Sequence, residues 1–227
     1  MKKIFILALA TFLLSCGAET KEENSKPEEK KGSEEISESS EEPSANLETI
    51  KIGELEFASK NLDVIAYRNG DPIPQAKDTA EWEAYAKKKV GCWAYPDFNE
   101  ASEGGLVYSG YCISDKRQLA PEGWKIPSRD DWEKAIESAG GAKTAGKKFK
   151  SEKGWKTAGD NSTGFNATPL PFMAGGFNND IHAIYYWSSS SPGPEYHYHF
   201  DLSGDNDEFT SWYDYDSWGL YVRCVKE

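Results

Sequence analysis

Aromatic and carboxylate side chains are interleaved in one short stretch near the C-terminus. Residues 209–218 read Phe-Thr-Ser-Trp-Tyr-Asp-Tyr-Asp-Ser-Trp. After Phe209, the stretch contains four further aromatic residues, Trp212, Tyr213, Tyr215 and Trp218, and the carboxylates of Asp214 and Asp216 lie between them. Exposed aromatic rings stack on sugars, and carboxylates accept hydrogen bonds from sugar hydroxyls. We therefore predict a ligand-binding surface formed by the four aromatic residues; the alternative is a loop whose rings fold back onto the core.

Two histidines and several carboxylates lie just before this stretch. His197, His199 and Asp201 alternate along one segment, and two histidines two positions apart can bind Zn²⁺. The alternative is a solvated strand face, and we assign no metal ligand. Residues 201–208 present alternating oxygen-bearing side chains, as a calcium loop does, but the EF-hand glycine at position six and glutamate at position twelve are absent. Calcium binding stays an open alternative for this loop.

The sequence lacks the familiar signatures of catalysis. It contains no nucleophile elbow, phosphate-binding loop, His-Glu-x-x-His motif or dinucleotide fingerprint. A carboxylate pair able to cleave a glycoside can occur in any acidic domain and is therefore not diagnostic. Besides Cys16 there are three cysteines, Cys92, Cys112 and Cys224, which allow three pairings or none. We expect no catalytic residue, no cofactor and a role other than that of an enzyme.

Composition narrows the class of protein. The chain has 227 residues, enough for one domain with additional segments, and its net charge is −12. This acidity argues against nucleic acid as a partner, because phosphate binding requires clustered Lys and Arg. Aromatic residues make up 13% of the chain, including 8 Trp, so a substantial part of it must fold.

The first 15 residues have the features of a secretory signal peptide. Two lysines follow Met1, an apolar run extends from Ile4 to Leu14, and Ser15 precedes Cys16. The run is too short to span a membrane, which takes about 20 residues. Leu13-Leu14-Ser15-Cys16 is similar to the lipobox of bacterial lipoproteins, in which the cysteine is acylated. We predict that Cys16 carries the lipid and that the protein contacts the membrane through two or three N-terminal acyl chains.

Residues 16–46 comprise this cysteine and a segment that we predict to be a disordered acidic tether. Residues 17–46 hold ten glutamates, four lysines and no aromatic residue. Such a segment cannot bury enough apolar surface to offset its ordering entropy, and its charges favour extension. Because no aspartate follows Cys16 directly, we expect anchoring at the outer rather than the inner membrane of a bacterial cell envelope, on its periplasmic or its surface face.

Residues 47–227 contain every Trp and Tyr and form the predicted folded domain. Two helices are predicted, one near Thr79–Lys89 with Asp78 as its N-cap and one over Arg129–Ser138 with Ser128 as its N-cap. The second helix places Trp132, Ala135, Ile136 and Ala139 on one apolar stripe.

The rest of the domain reads as short strands joined by long loops. The predicted strands are Lys51–Leu62, Gly91–Tyr95, Leu106–Ile113, Tyr185–Ser189, Tyr196–Leu202 and Gly219–Val225. Period-two alternation in Tyr196–Leu202 places Tyr196, Tyr198, Phe200 and Leu202 on one face. Strands scattered around two helices indicate an α+β fold rather than a parallel series.

An ordered series of short motifs resembles the Fibrobacter succinogenes major paralogous domain family. The motifs are Ile52-Gly53, Lys60-Asn61-Leu62, Asn69-Gly70-Asp71-Pro72-Ile73-Pro74, Gly91-Cys92-Trp93-Ala94-Tyr95, Leu119-Ala120-Pro121-Glu122-Gly123-Trp124-Lys125-Ile126-Pro127-Ser128, Asp131-Trp132, Ala145-Gly146-Lys147-Lys148, Gly164-Phe165, Tyr186-Trp187-Ser188-Ser189 and Val222-Arg223-Cys224-Val225-Lys226. The resemblance spans residues 50–227. The resemblance implies a secreted or lipid-anchored protein with a C-type-lectin-like scaffold, shared with formylglycine-generating enzyme, in which two helices pack on small antiparallel sheets. It implies no particular activity.

Three functions are compatible with these features. The first is a lipid-anchored, non-catalytic interaction domain that binds a surface glycan or a protein through exposed aromatic residues. The second is a purely structural envelope protein. The third is an enzyme related to formylglycine-generating enzyme, which would need two cysteines close together near the C-terminus; Cys224 is the only cysteine there.

Overall fold

The computed structural model describes residues 47–178 and 182–227, which belong to one compact unit. The predicted signal peptide, Cys16 and the predicted tether lie outside these residues. In the described part of the chain, no helix is long and apolar enough to cross a membrane, the longest having ten residues.

Within the described residues there are four α-helices and twelve short β-strands. The helices are α1 (Thr79–Lys87), α2 (Gly110–Ile113), α3 (Arg129–Ser138) and α4 (Ala145–Phe149). The strands are β1 (Thr49–Ile52), β2 (Leu55–Ala58), β3 (Trp93–Ala94), β4 (Val107–Ser109), β5 (Trp124–Lys125), β6 (Phe172–Met173), β7 (Phe177–Asn178), β8 (Ala183–Trp187), β9 (Tyr196–Ser203), β10 (Phe209–Tyr215), β11 (Gly219–Leu220) and β12 (Val225–Lys226).

Both predicted helices are confirmed, with their caps. The Asp78 carboxylate accepts a hydrogen bond from the Glu81 amide (2.8 Å) at the start of α1. At the start of α3, Ser128 and Asp131 form a reciprocal capping box, in which each side chain accepts the other's backbone N–H. The two additional helices, α2 and α4, have only four and five residues, too few to show helical periodicity in the sequence.

Several predicted strands are shorter than expected or are divided. The segment predicted as one strand over Lys51–Leu62 is the β1–β2 hairpin, with Gly53 in its two-residue turn at φ 60°. The segment Leu106–Ile113 leaves the extended conformation after Ser109 and becomes α2. The segment Gly219–Val225 supplies two strands, β11 and β12, to different sheets.

The strands form three antiparallel sheets in the described residues. Their orders are β1-β2-β12-β5, β10-β9-β8 and β3-β4-β11-β6-β7. Because the helices are separate from these antiparallel sheets rather than alternating with parallel strands, the architecture is α+β, as predicted.

Helix α3 carries the central residue of the core, Trp132. Its fully buried indole stacks on Phe200 of β9 at a ring-centroid distance of 5.7 Å and contacts Phe209 of β10 at 5.8 Å. Phe57 and Tyr186 lie against the same ring at 5.2 and 5.6 Å. These contacts fix the three-stranded sheet on α3, and this sheet carries most of the residues singled out from the sequence.

Candidate binding site on the β9–β10 hairpin

The stretch considered as a binding loop is in fact strand β10, the edge strand of the three-stranded sheet. It pairs with β9 in a register that sets Tyr213 opposite Tyr198 and Tyr215 opposite Tyr196. Residues directly opposite each other point to the same face of a sheet, and successive residues point to opposite faces. Tyr213 and Tyr215 therefore share one face, whereas Trp212 lies on the other.

Four tyrosines from the two strands form a continuous patch, here called the tyrosine surface. Its members are Tyr196, Tyr198, Tyr213 and Tyr215. The rings of Tyr196 and Tyr215 lie 4.7 Å apart, and Tyr213 meets Tyr196 and Tyr198 edge-on at 5.9 and 6.0 Å. Tyr213 and Tyr215 are 54% and 53% exposed, so these rings face solvent rather than the core. Hydrogen bonding to Tyr215 raises the pKa of the Tyr196 hydroxyl.

Charged side chains border the tyrosine surface. The guanidinium of Arg129, in the first turn of α3, lies 4.7 Å from the ring centroid of Tyr198. Lys89 forms an ion pair with Glu195, the residue that precedes β9. The surface therefore combines tilted and edge-on rings, phenolic hydroxyls and a cation in contact with a ring, which are groups that recognise polar ligands with apolar faces.

The four aromatic residues named from the sequence do not lie together. Trp212 is 65% exposed and belongs to the opposite face, next to His199 on β9. Trp218 lies beyond the end of β10 and is partly buried, with its ring 5.8 Å from that of Phe172. Only Tyr213 and Tyr215 of the predicted set belong to the tyrosine surface.

The two histidines of β9 are buried on the face opposite the tyrosine surface. His197 Nδ1 lies 2.6 Å from Asp216 Oδ1, and His199 Nε2 lies 2.8 Å from Asp214 Oδ2. The alternative of a solvated strand face is therefore wrong. The physical reason is the Trp187 ring, which packs edge-on against both imidazoles at 6.2 and 6.5 Å.

This arrangement does not form a metal centre. Each histidine is bound to its own aspartate, and Asp201 accepts a hydrogen bond from the Thr210 hydroxyl (3.0 Å). Burial raises the pKa of Asp201, although the bond from Thr210 opposes this effect. Residues 47–178 and 182–227 contain no group of three or more His, Cys, Asp or Glu side chains that could hold a metal ion. The histidines instead hold β10 and the turn that follows it.

The turn after β10 is held by contacts from other elements. Asp216 N donates to Glu195 O (2.9 Å), and the Trp82 indole of α1 donates to Ser217 O (2.8 Å). Gly110 allows this close packing, because a Cβ there would stand 2.6 Å from the Cα of Asp216. The hairpin that presents the tyrosine surface is therefore fixed at its open end by strand, helix and loop residues.

The loop between β9 and β10 is held by a buried lysine. The Nζ atom of Lys150, whose side chain is fully buried, lies within 3.3 Å of four oxygens. They are the carbonyls of Thr157 (2.9 Å), Asn206 (2.6 Å) and Ser203 (3.3 Å) and a carboxylate oxygen of Asp207 (3.3 Å). Of the side-chain oxygens considered for calcium from the sequence, only the Asp207 carboxylate is among these partners, whereas Asp205 pairs with Lys156 and Asp201 accepts from Thr210. The ammonium group of Lys150 therefore supplies positive charge beside Asp207, which makes this carboxylate less suited to a calcium ion.

The three cysteines Cys92, Cys112 and Cys224 are free and buried. Of the alternatives that the sequence left open, the structure therefore has the one in which these three cysteines form no disulfide bond. Burial raises the pKa of each of these thiols to about 12. At neutral pH they are protonated, weakly nucleophilic groups in the core.

A polar cleft of about 580 Å³ elsewhere in the domain is lined by charges of both signs, including Lys60, Asp63 and Glu103. Beneath it lies Arg223, which is 3% exposed. Its guanidinium donates to a side-chain amide and three backbone carbonyls: Asn61, Ala58, Ser59 and Phe165. This arginine is fully engaged in joining chain segments, and the mixed charges of the cleft indicate no single class of ligand.

Sequence reasoning missed the pairing that completes the tyrosine surface. The segment Phe209–Tyr215 carries aromatic residues on both faces, so it shows no apolar–polar alternation. The signal that was present is the segment Ser203-Gly-Asp-Asn-Asp-Glu208, which is rich in turn residues and lies between two aromatic segments. Such a pattern predicts a hairpin, and a hairpin would have brought Tyr196 and Tyr198 beside Tyr213 and Tyr215.

Comparison with known proteins places this fold in a family. Residues 50–226 match the family described as the Fibrobacter succinogenes major domain, and the match includes every described element except the first residue of β1. No curated protein and no solved structure is significantly similar to the chain. Since the match covers most of the sequence, the chain belongs to the Fibrobacter succinogenes major domain family.

Proposed function

We propose that this chain is a lipid-anchored protein of the bacterial cell envelope whose folded domain is a non-catalytic interaction module. The observation that carries the proposal is the tyrosine surface, with two rings more than half exposed on a strand that is rigidly held. Neighbouring exposed aromatic rings form a contiguous apolar patch, and such patches commonly mark sites of contact with a partner.

A glycan is the first candidate ligand for the tyrosine surface. Phenol rings present flat apolar faces to the C–H groups of a sugar, and their hydroxyls can exchange hydrogen bonds with sugar hydroxyls. The surface is open rather than enclosed, which suits a chain of sugar units better than a single small molecule.

A protein partner is the second candidate. Tyrosine and arginine are the residues enriched at the centres of protein interfaces, and Arg129 lies directly over the ring of Tyr198. A protein bound here would bury both Tyr213 and Tyr215.

The scaffold and location belong to the same proposal. Family membership and the packing of short helices on small antiparallel sheets support a C-type-lectin-like fold. The signal-like residues 1–15 and the lipobox-like residues ending at Cys16 support export and acylation, and the acidic residues 17–46 suit a spacer from the membrane. An outer-membrane location remains the preferred one on these features.

A role as an enzyme like formylglycine-generating enzyme is disfavoured by the thiols. Such chemistry needs two accessible cysteines that act as thiolates, whereas burial raises the pKa of all three thiols here to about 12. Cys224 is also the only one of the three near the C-terminus.

The proposal is tested by glycan-array binding of the protein and its variants. We expect binding to at least one glycan, and a loss of about tenfold or more in affinity for the double variant Tyr213→Ala/Tyr215→Ala, because two stacking contacts of about 1 kcal/mol each are removed. Tyr213→Phe/Tyr215→Phe separates the contribution of the hydroxyls from that of the rings.

Trp212→Ala is the matched control, because this residue is also more than half exposed but lies on the opposite face. Loss of binding in Trp212→Ala with no effect of the double tyrosine variant would contradict the tyrosine surface as the site. If no glycan binds and cross-linking captures a defined envelope protein through Tyr213 or Tyr215, the partner is a protein. If neither is found, the purely structural role stands.

A further inference from the structure

The backbone N–H and C=O groups of β10 point alternately towards β9 and away from the sheet. Asp216, which follows the strand, donates its N–H to Glu195 O (2.9 Å), so even-numbered residues direct their backbone groups towards β9. Odd-numbered residues direct theirs away from the sheet. Phe209 N–H does so and donates to Ala142 O (2.8 Å).

The outer side of β10 is open after this first contact. The N–H and C=O groups of Ser211 and Tyr213 have no hydrogen-bond partner among the described residues. Proteins usually protect an exposed edge strand with Lys, Pro, a bulge or a short length, but β10 has seven residues and none of these side chains. The single charged residue of β10 is Asp214, whose carboxylate forms a hydrogen bond with His199. The opposite edge of the same sheet is covered, because β8 bonds to Tyr221.

A groove of about 460 Å³ runs between this edge and helix α3. Its lining includes the apolar side chains of Ile136, Ala142 and Phe209 and the exposed residue Trp212. Glu137 also lines it and forms no ion pair with any residue that the structure describes. The groove therefore offers an apolar floor and an unpaired carboxylate beside two free backbone donors and two free acceptors.

We propose that this edge binds an extended peptide segment of a partner protein, which pairs antiparallel with Ser211 and Tyr213 and carries alternating basic and apolar residues. The partner residue opposite Ser211 shares the face of Ser211 and points into the groove. A Lys or Arg there covers the apolar floor with its methylene stem and brings its charge to Glu137. The next residue of the partner lies beside Trp212 and is apolar.

Charge decides between the possible occupants. The chain carries a net charge of −12, so a second copy would bring two acidic surfaces together at the edge. The ten glutamates of residues 17–46 disfavour this chain's own N-terminal segment beside Glu137 for the same reason. A basic strand from another protein is complementary to the groove. This site is formed by the backbone of β10 and the groove beside α3, whereas the tyrosine surface is formed by side-chain rings, so the inference goes beyond the proposed function.

The experiment uses the full chain and a synthetic peptide that alternates Lys and Val over eight residues. We expect binding, together with slowed hydrogen exchange of the Ser211 and Tyr213 amides. N-methylation of the Lys amides, which face β10 in the inferred register, should weaken binding about tenfold or more, whereas N-methylation of the Val amides should leave it unchanged.

Reversal of the groove charge gives a second test that leaves the backbone intact. Glu137→Lys should weaken binding of the Lys peptide about tenfold and allow a Glu–Val peptide to bind. Glu152→Lys, which makes the same change of net charge at an exposed residue that does not line the groove, should have little effect. Equal binding of both N-methylated peptides, or unchanged exchange at Ser211 and Tyr213, would overturn the inference. So would concentration-dependent protection of these amides without peptide, which would identify a second copy as the occupant.

Discussion

Some single side chains in this domain stabilise the structure through contacts with residues that are distant in the sequence. Lys150 binds oxygens of residues 203–207, and His197 pairs with Asp216 across the hairpin. The sequence showed His197 and Asp216 as separate features and gave no sign that Lys150 would be buried. A buried lysine is rare, and its partners are mostly backbone carbonyls, which every residue possesses and no sequence pattern marks.

The capping box of α3 gives a prediction about pH. Burial alone would raise the pKa of Asp131, but hydrogen bonds from Ser128 and Lys125 outweigh burial and hold it below the ordinary value. A carboxyl whose pKa is lowered by folding stabilises the protein above its unfolded pKa of about 3.9, and this contribution is lost as the pH falls through the folded pKa.

Asp131→Asn should therefore lower the free energy of unfolding by about 1 kcal/mol at pH 7, and the difference from the unchanged protein should disappear near pH 2.5. Urea denaturation at both pH values measures this. Asp130→Asn in the same turn is the control, since Asp130 is exposed and should change stability by less than about 0.5 kcal/mol. A difference for Asp131→Asn that is the same at both pH values would contradict the assigned role of its charge.

At the scale of elements, the helices and strands predicted most clearly from the sequence are those long enough to show a periodic pattern of side chains. Helices α1 and α3 and strands β8 and β9 were predicted because each has five or more residues with a cap or an alternation. Strands β5, β6 and β7, which lie outside every predicted strand, have two residues each, and their existence depends on tertiary pairing that no local pattern records. Strand β10 was missed because aromatic residues occupy both of its faces.

The β9–β10 loop provides a prediction at this scale. Lys150→Met keeps most of the buried volume but removes the ammonium group, which leaves four oxygens without their donor. We expect a loss of about 3 kcal/mol in the free energy of unfolding and faster hydrogen exchange in residues 203–207.

The exposed ion pair of Lys156 with Asp205, in the same region, supplies the control. Lys156→Met should change stability by less than about 1 kcal/mol, because the pair is open to solvent. Calcium should not raise the melting temperature of the unchanged protein, whose loop already contains its own cation. A loss of stability in Lys156→Met equal to that in Lys150→Met would show that the buried ammonium group has no special role.

For the whole molecule, the family and the α+β class were accessible from sequence because many short motifs occur in order over residues 50–227. Only half of the tyrosine surface could be predicted from the sequence. Tyr213 and Tyr215 were named, whereas Tyr196 and Tyr198 joined them through strand pairing. The open edge of β10 could not be foreseen, because it depends on which backbone groups point outward.

Anchoring is the prediction that concerns the entire chain. If Cys16 carries the acyl chains, Cys16→Ser should move the protein from the membrane fraction to the soluble fraction, because two or three buried acyl chains are what hold it. Incorporation of radiolabelled palmitate, followed by fractionation, measures this. Ser25→Ala in the predicted tether should remain in the membrane fraction, and a membrane-bound Cys16→Ser protein would contradict the lipid anchor.

The three unpaired thiols have a practical meaning for how this domain is made and kept. Its folding requires no oxidant and no disulfide isomerase, so the same structure can form in a reducing or in an oxidising compartment. The risk comes on heating: denaturation would uncover Cys92, Cys112 and Cys224 together. Scrambled cross-links between unfolded copies would then make heat damage permanent unless a reductant is present.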